Sequence, residues 1–415
     1  MAEVGEEPDT VPVHQLLDRF VDAGAMHPLY DRSPFTRAHV TVVIPAYGRL
    51  PRHLPDGVHV IVVDDASATP LALDARRVTP GLRQNLIRHD TNRGPAAARN
   101  TGLAQVSTPL VAFVDTDVEL PDDWLTALLG HFADERIALV APRVVGATGT
   151  SWLAGYERRH SPLDLGPEPA RIAAGTRVSY VPAAAMVWRT HVVRELGGFD
   201  EAMRLGEDVD LVWRCVAADN RCRYEPTSVV YHQPRATAMA LLHQRFGYGR
   251  SAAPLAHRHP TALAPVRMSG WSALAWLLLA TRHPLLALGV VGGTTIALQR
   301  KLSDVPPLES ARLAGLGHLA AGRQFATAIT RVWWPAAIAA AIVSRRARMA
   351  VIAALIGPAL IDAVRTTSTQ PLRDAPFVTA DAMAYGAGVW AGVIAERELG
   401  PLRPAFTNWP PRTGG

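Results

Sequence analysis

Six carboxylates, one arginine and one histidine in this 415-residue chain fall in patterns that could do chemistry. Asp115-Thr116-Asp117 follows an apolar run, and two carboxylates so spaced on an exit loop can hold a hard divalent cation, Mn2+ or Mg2+, that also bridges two phosphate groups. Alone the triplet is weak, because most such sequences are solvated turns. Asp64-Asp65 ends another apolar run and suits hydrogen bonding to a base or ribose, with a plain loop cap as the alternative. Arg99, in the stretch NRGPAAARNTG, would sit near a diphosphate, whose oxygens match a guanidinium, or else in solvent. Glu207 and Asp208 open a helical pattern, where carboxylates are favoured and held in a fixed orientation. Asp208 is then a candidate general base, or one half of a capping pair. His232 follows a short apolar run; an imidazole there is usually structural, but one facing the Asp115 to Asp117 loop could complete a metal site.

These residues need elements to position them. The runs VTVVIPAY at 40–47, VHVIVVDD ending at Asp65, and PLVAFVDTD ending at Asp117 are β-branched and nearly continuous, as strands buried on both faces are. RGPAAARNTGLAQV reads as a helix, and PDDWLTALLGHFAD as another that starts at Pro121. Strands alternating with helices predict a doubly wound α/β domain, with the polar groups at the carboxyl ends of its strands, where such sheets bind ligands. Residues 143–178 read as a variable loop segment, and order returns at VSYVPAAAMVWR. An N-terminal helix and linker occupy 1–38, the α/β domain 39–240, and a helical, apolar and basic region 241–415.

Charge supports that last boundary. Residues 1–240 hold 24 basic and 30 acidic side chains, whereas 241–415 hold 18 basic and 7 acidic. Five apolar runs follow residue 270, and none reaches the roughly 18–20 residues that a simple membrane span needs. They fit a buried helical domain or an interfacial or re-entrant membrane association, and the basic surplus favours contact with an anionic cytoplasmic leaflet. The acidic start, Met1 to Thr10, has no apolar core of a secretory signal, and two cysteines make neither a zinc cluster nor a disulfide framework. A cytoplasmic protein, or one on the cytoplasmic face of the membrane, is expected. Few aromatic and basic residues alternate in the basic region, which argues against nucleic acid as a partner.

Taken in order, PAY, VVDDAS, NRGPAAARNTG, VDTD, GGFDE, GEDVDL and YHQP resemble the inverting glycosyltransferases of family 2, which have the Rossmann-like GT-A fold. The resemblance covers about residues 40–235. It implies a nucleotide-sugar donor, usually UDP-linked, bound by Pro45, Tyr47, Asp64, Asp65, Arg99 and Asp115. It also implies a divalent cation on Asp115 and Asp117 with His232 as a further ligand, and Asp208 as base with Glu207 beside it. Inversion would turn an α-linked UDP-sugar into a β-glycoside. Two departures stand out: Gly48 follows Tyr47 where many relatives carry Asn, and no Gln-x-x-Arg-Trp follows Tyr231, which speaks against processive synthesis. QRFGYGRSAAPLAHRHP, from Gln244 to Pro260, and the Ala-rich tail look most like the actinobacterial members that add glucose units to mycofactocin, a peptide-derived redox cofactor. That resemblance implies UDP-glucose as donor and a small peptide-derived acceptor. A cell-envelope glycan or rhamnosyl transferase, or a nucleotide-sugar-binding scaffold without turnover, is the alternative.

Overall fold

In the computed structural model the chain divides into two compact units, Met1–Arg235 and Ala236–Gly415. The structure describes residues 11–407 apart from 23, 29, 31, 74–83 and 261, so the acidic first ten residues lie outside the described part.

In the first unit a helix, α1 (Val11–Asp22), precedes β1 (Val40–Ala46), β2 (His59–Asp64), β3 (Gln84–Arg88), α2 (Pro95–Ala104) and β4 (Leu110–Val114). Then come β5 (Val118–Glu119), α3 (Thr126–Gly130), β6 (Ile137–Gly146), α4 (Trp152–His160), β7 (Ala170–Arg171), β8 (Ala185–Arg189), α5 (Thr190–Glu195), α6 (Glu207–Ala217) and β9 (Arg221–His232). The strand order is β3-β2-β1-β4-β8-β6-β9-β5, with β7 on β9. β1 to β4 are parallel, but β8 runs antiparallel to both β4 and β6, so the sheet is mixed where the alternating pattern predicted parallel strands. Val42, Val60, Leu110, Ala112 and Val187 have almost no exposure, which is why these runs lack a polar face. Between β1 and β4 the order reverses, and their carboxyl ends open the crevice where α/β sheets take ligands.

Two local expectations change. The helix predicted from Pro121 is one turn, α3, followed by a 3-10 turn at His131–Ala133, because 121–126 is tightened by turn bonds from the Trp124 N–H to Pro121 and the Thr126 N–H to Asp123. The segment read as a loop at 143–178 contains the end of β6, α4 and β7. Ser151 caps α4 by accepting from the Ala154 N–H at 3.1 Å, and Tyr156 buries its ring, so a short amphipathic pattern was hidden among glycines and arginines.

The second unit comprises α7 (Ala238–Arg250), α8 (Ala252–Arg258), β10 (Arg267–Ser269), α9 (Gly270–Ala280), α10 (Pro284–Lys301), α11 (Pro307–Arg331), α12 (Trp334–Val343), α13 (Arg345–Thr366), α14 (Gln370–Glu396) and β11 (Ala405–Thr407). α7 and α14 pack backbone to backbone: a Cβ on Gly249 would fall 1.9 Å from the Tyr385 carbonyl oxygen, and one on Gly388 the same distance from that of Phe246. The sequence reading of apolar length is corrected here. α13 (22 residues) and α14 (27 residues) are each long and apolar enough to cross a membrane, and α11 with α12 would make a third span bent by 88°. The apolar runs were bounded by polar residues such as Asp362 and Asp381, whereas the helices continue past both.

Candidate active site

Asp115 and Asp117 leave the carboxyl end of β4, and Glu207 and Asp208 are the first two residues of α6, with Gly206 at φ +85° turning the chain into it. One side chain joins the two groups. Arg99, on α2 and only 3% exposed, donates from Nη1 to Glu207 Oε1 at 2.6 Å and from Nη2 to Asp115 Oδ1 at 2.8 Å. Its guanidinium lies 5.3 Å from the centre of the Phe199 ring, and its Nε finds no acceptor among the described residues. A second link runs through two neighbouring residues. The Ala183 N–H donates to Asp208 Oδ2 at 2.9 Å, and the Ala184 carbonyl accepts from the Asp115 N–H at 3.1 Å. Asp208, partly exposed, keeps its other oxygen on the Val209 N–H.

The carboxylates differ in proton affinity. Burial, reinforced by Asp208, pushes Glu207 up to about 7 even though Arg99 favours its charged form. Burial also raises Asp115 against the pull of Arg99. Burial would raise Asp117 too, but His232, Arg235 and Arg49 outweigh it and hold that group below the usual range. The neighbours of Asp117 Oδ2 are His232 Nε2 at 3.4 Å, Arg235 Nη1 at 3.5 Å and Arg49 Nη2 at 3.8 Å. His232 is brought there by pairing of β5 with β9, which sets it opposite Val118.

The sequence-predicted residues separate accordingly. Asp115, Asp117, His232, Glu207, Asp208 and Arg99 form one connected cluster, but Arg99 is spent on carboxylates where a diphosphate contact was expected. Asp64 and Asp65 are also buried and engaged within the protein. Asp64 accepts from the Ser67 and Leu71 N–H groups at 2.9 and 3.2 Å and from Arg88. Burial raises its pKa, but those hydrogen bonds overcome the effect and set it at about 2. Asp65 takes the Arg93 and Gly94 N–H groups at 2.9 and 2.7 Å and the His89 ring at 2.8 Å. Both shape the loops at the ends of β2 and α2, and each of their four oxygens already accepts at least one hydrogen bond from the chain. Pro45 is half-buried within β1, and Tyr47, just beyond it, is 63% exposed. Arg49, Arg235 and the 183–184 turn escaped the sequence reading; for the arginines, their places beside PAY and YHQP were the only signal.

The connection between the parallel strands β1 and β2 carries no helix. Beside it lies a cavity of about 500 Å³, lined by Arg52, His53, Asp117, Glu119 and Gln233 among others, so open space adjoins Asp117. Among the described residues no three His, Cys, Asp or Glu side chains alone surround a metal position. Asp117 and His232 offer one oxygen and one nitrogen side by side. That donor set fits a hard cation which takes the rest of its shell from phosphate oxygens and water.

Comparison with known proteins adds the following. Residues 41–194 match the model of glycosyl transferase family 2. Over 404 residues the chain is 42% identical to the pre-mycofactocin glycosyltransferases of two Mycobacterium tuberculosis strains, spanning 92% of this chain and 85% of theirs. The succinoglycan biosynthesis protein ExoO of Rhizobium meliloti is 32% identical over 184 residues, 42% of this chain and 52% of that one. Among solved structures, the mannosyltransferase PcManGT of Pyrobaculum calidifontis, in complex with GDP-Man and Mn2+, aligns with a TM-score of 0.48 at 18% identity, covering 91% of this chain and 94% of that one.

Proposed function

Because the chain belongs to glycosyltransferase family 2, we propose that it transfers glucose from UDP-glucose to a hydroxyl of pre-mycofactocin, with inversion to a β-glycoside. The observation that carries the reading is the Arg99 bridge, which fixes the Asp115 to Asp117 loop and the Glu207–Asp208 pair in one cluster. Asp208, partly exposed and oriented by the Ala183 N–H, takes the proton of the acceptor hydroxyl as its oxygen attacks the anomeric carbon. Asp117 and His232 would hold Mn2+ or Mg2+, whose remaining positions go to phosphate oxygens and water, and the cation would supply charge stabilisation for the departing diphosphate. Arg49 and Arg235 stand where they can pair with phosphate oxygens. The identity to the mycobacterial relatives over most of both chains supports the acceptor.

Residues 236–415 are proposed to hold the protein against the cytoplasmic face of the membrane. Large side chains on α10 to α13 remain exposed, among them Leu285, Leu308, Ile342 and Val364. The test is hexose transfer from UDP-glucose to a purified pre-mycofactocin acceptor with Mn2+, followed by mass. Asp208→Ala should lose about a thousandfold or more in rate with UDP binding kept, and Asp117→Ala should lose both transfer and Mn2+-dependent UDP binding. Full activity in either variant overturns the assignment.

A further inference from the structure

We propose that the turn joining α12 to α13 is a binding surface for anionic phospholipid headgroups; this rests on the membrane contact proposed above and specifies where charge is read. Residues 310–361 contain no carboxylate and six arginines. Three of the six have partners within the unit. Arg312 pairs with Glu309 at 3.5 Å, Arg323 pairs with Asp362 at 3.0 Å, and Arg331 lies over the Tyr385 ring at 3.8 Å. The other three, Arg345, Arg346 and Arg348, are exposed at the start of α13, and among the described residues no carboxylate pairs with them.

Their surroundings specify the occupant. Before them α12 ends on Ile342 and Val343, which are 74% and 85% exposed. After them α13 leaves Met349, Ile352, Ile356, Leu360 and Val364 exposed at helical spacing, and Ala354 is its only buried residue. A protein partner would have to cover a long, purely aliphatic helix face. A bilayer does so without shape matching, and guanidinium groups at the end of an apolar helix sit at headgroup depth, where phosphodiesters supply the missing counter-charges. Ser344 fixes the corner by accepting from the Ala347 N–H at 3.3 Å, so the three cations are presented from a capped helix start.

The experiment synthesises the full chain cell-free in the presence of vesicles and recovers it by flotation. The vesicles are either phosphatidylcholine alone or phosphatidylcholine with about one-third phosphatidylglycerol. The wild-type chain should partition roughly tenfold to a hundredfold more strongly onto the anionic vesicles, with most of that preference lost in high salt. An R345Q/R346Q/R348Q variant should fall to the level seen with neutral vesicles and still float with them, and the matching lysine variant should recover the preference. Equal anionic preference in the glutamine variant and wild type overturns the headgroup surface and leaves membrane contact standing. Wild type that floats with neither vesicle overturns membrane contact itself. A glutamine variant that floats with neither while wild type floats with both also overturns the inference, because it assigns the arginines to folding.

Discussion

Replacing Arg99 with Met tests whether one buried guanidinium holds the two acidic groups together. The substitution keeps the length of the side chain and removes charge-assisted bonds of 2.6 Å to Glu207 and 2.8 Å to Asp115. Removing one partner of a buried pair costs about 3–5 kcal/mol when the other charge is left stranded. Neither carboxylate is fully stranded here. Asp115 is about a third exposed and recovers water, and Glu207, raised to about 7, can take up a proton. The loss should therefore be about 2 kcal/mol at pH 6 and should grow with pH.

The sign follows from proton linkage. Glu207 binds its proton more tightly in the folded chain than at its ordinary 4.5, so stability declines as pH rises from there to about 7 and then levels off. Without Arg99 the carboxylate loses its only cationic partner among the described residues and keeps only its own backbone N–H, so the decline continues above pH 7 at about 1.4 kcal/mol per unit. Between pH 6 and pH 8 the gap between variant and wild type should widen by about 1.4 kcal/mol. Pulse proteolysis of the full chain across a urea series at the two pH values measures this. A gap independent of pH would show that Arg99 does not restrain Glu207 and would refute the electrostatic reasoning. Arg99→Lys supplies the catalytic check: one ammonium cannot span both carboxylates as the fork does, so the transfer rate should fall about tenfold to a hundredfold with the donor KM nearly constant.

Asp64→Asn should destabilise the first unit by about 2 kcal/mol, because the wild-type pKa of about 2 against an ordinary 3.8 corresponds to that much stability at neutral pH. In wild type the same contribution should disappear as pH falls from about 4 toward 2, which urea midpoints across that range would show. Gly198→Ala should cost about 2 kcal/mol, since Gly198 has φ +72° and a Cβ there would lie 2.5 Å from Asn100 Oδ1; Asn100→Ser should relieve part of it in a double-mutant cycle. UDP and Mn2+ should each tighten the other by about tenfold or more in calorimetric titration, because the metal alone faces Arg49 and Arg235 while the diphosphate alone faces Asp115 and Asp117; independent binding would contradict that charge arrangement.

How much of this was legible in the sequence depended on whether the signal was local. Buried parallel strands show as apolar runs, so β1, β2 and β4, and the carboxylates leaving them, could be placed directly. Glu207 and Asp208 could be set at a helix start because glycine and acid cluster there. Partners were another matter. Whether Asp64 faces a ligand or the backbone of Ser67 and Leu71 depends on how the chain after β2 folds back, and Arg99 meets Glu207 only because α2 and α6 converge from 108 residues apart. The direction of β8 was missed within the ordered run VSYVPAAAMVWR because neighbours in the sheet set it, and the short α4 was missed because its own sequence carries little helical signal.

The same distinction changes what the charge count means. Residues 1–240 carry a surplus of acidic side chains, and many of these carboxylates are consumed internally. Asp164 holds Arg143, Asp210 holds Arg214, Asp134 holds Arg136 and Arg221, and Glu225 holds His131. Such pairs organise loops and project little field. Among the carboxylates of the proposed site, Asp117 adjoins the cavity beside β1 and Asp208 is partly exposed, which is where the proposed chemistry needs them. In residues 241–415 seven carboxylates face eighteen basic side chains, so internal pairing runs out on the other side of the balance and arginines are left without acids. Arg345, Arg346 and Arg348 are such a remainder, concentrated beside an uncovered apolar helix. In the proposed assignments the charge of each unit that chain pairing does not exhaust is met from outside: by a cation with a diphosphate in one, and by a phosphodiester surface in the other.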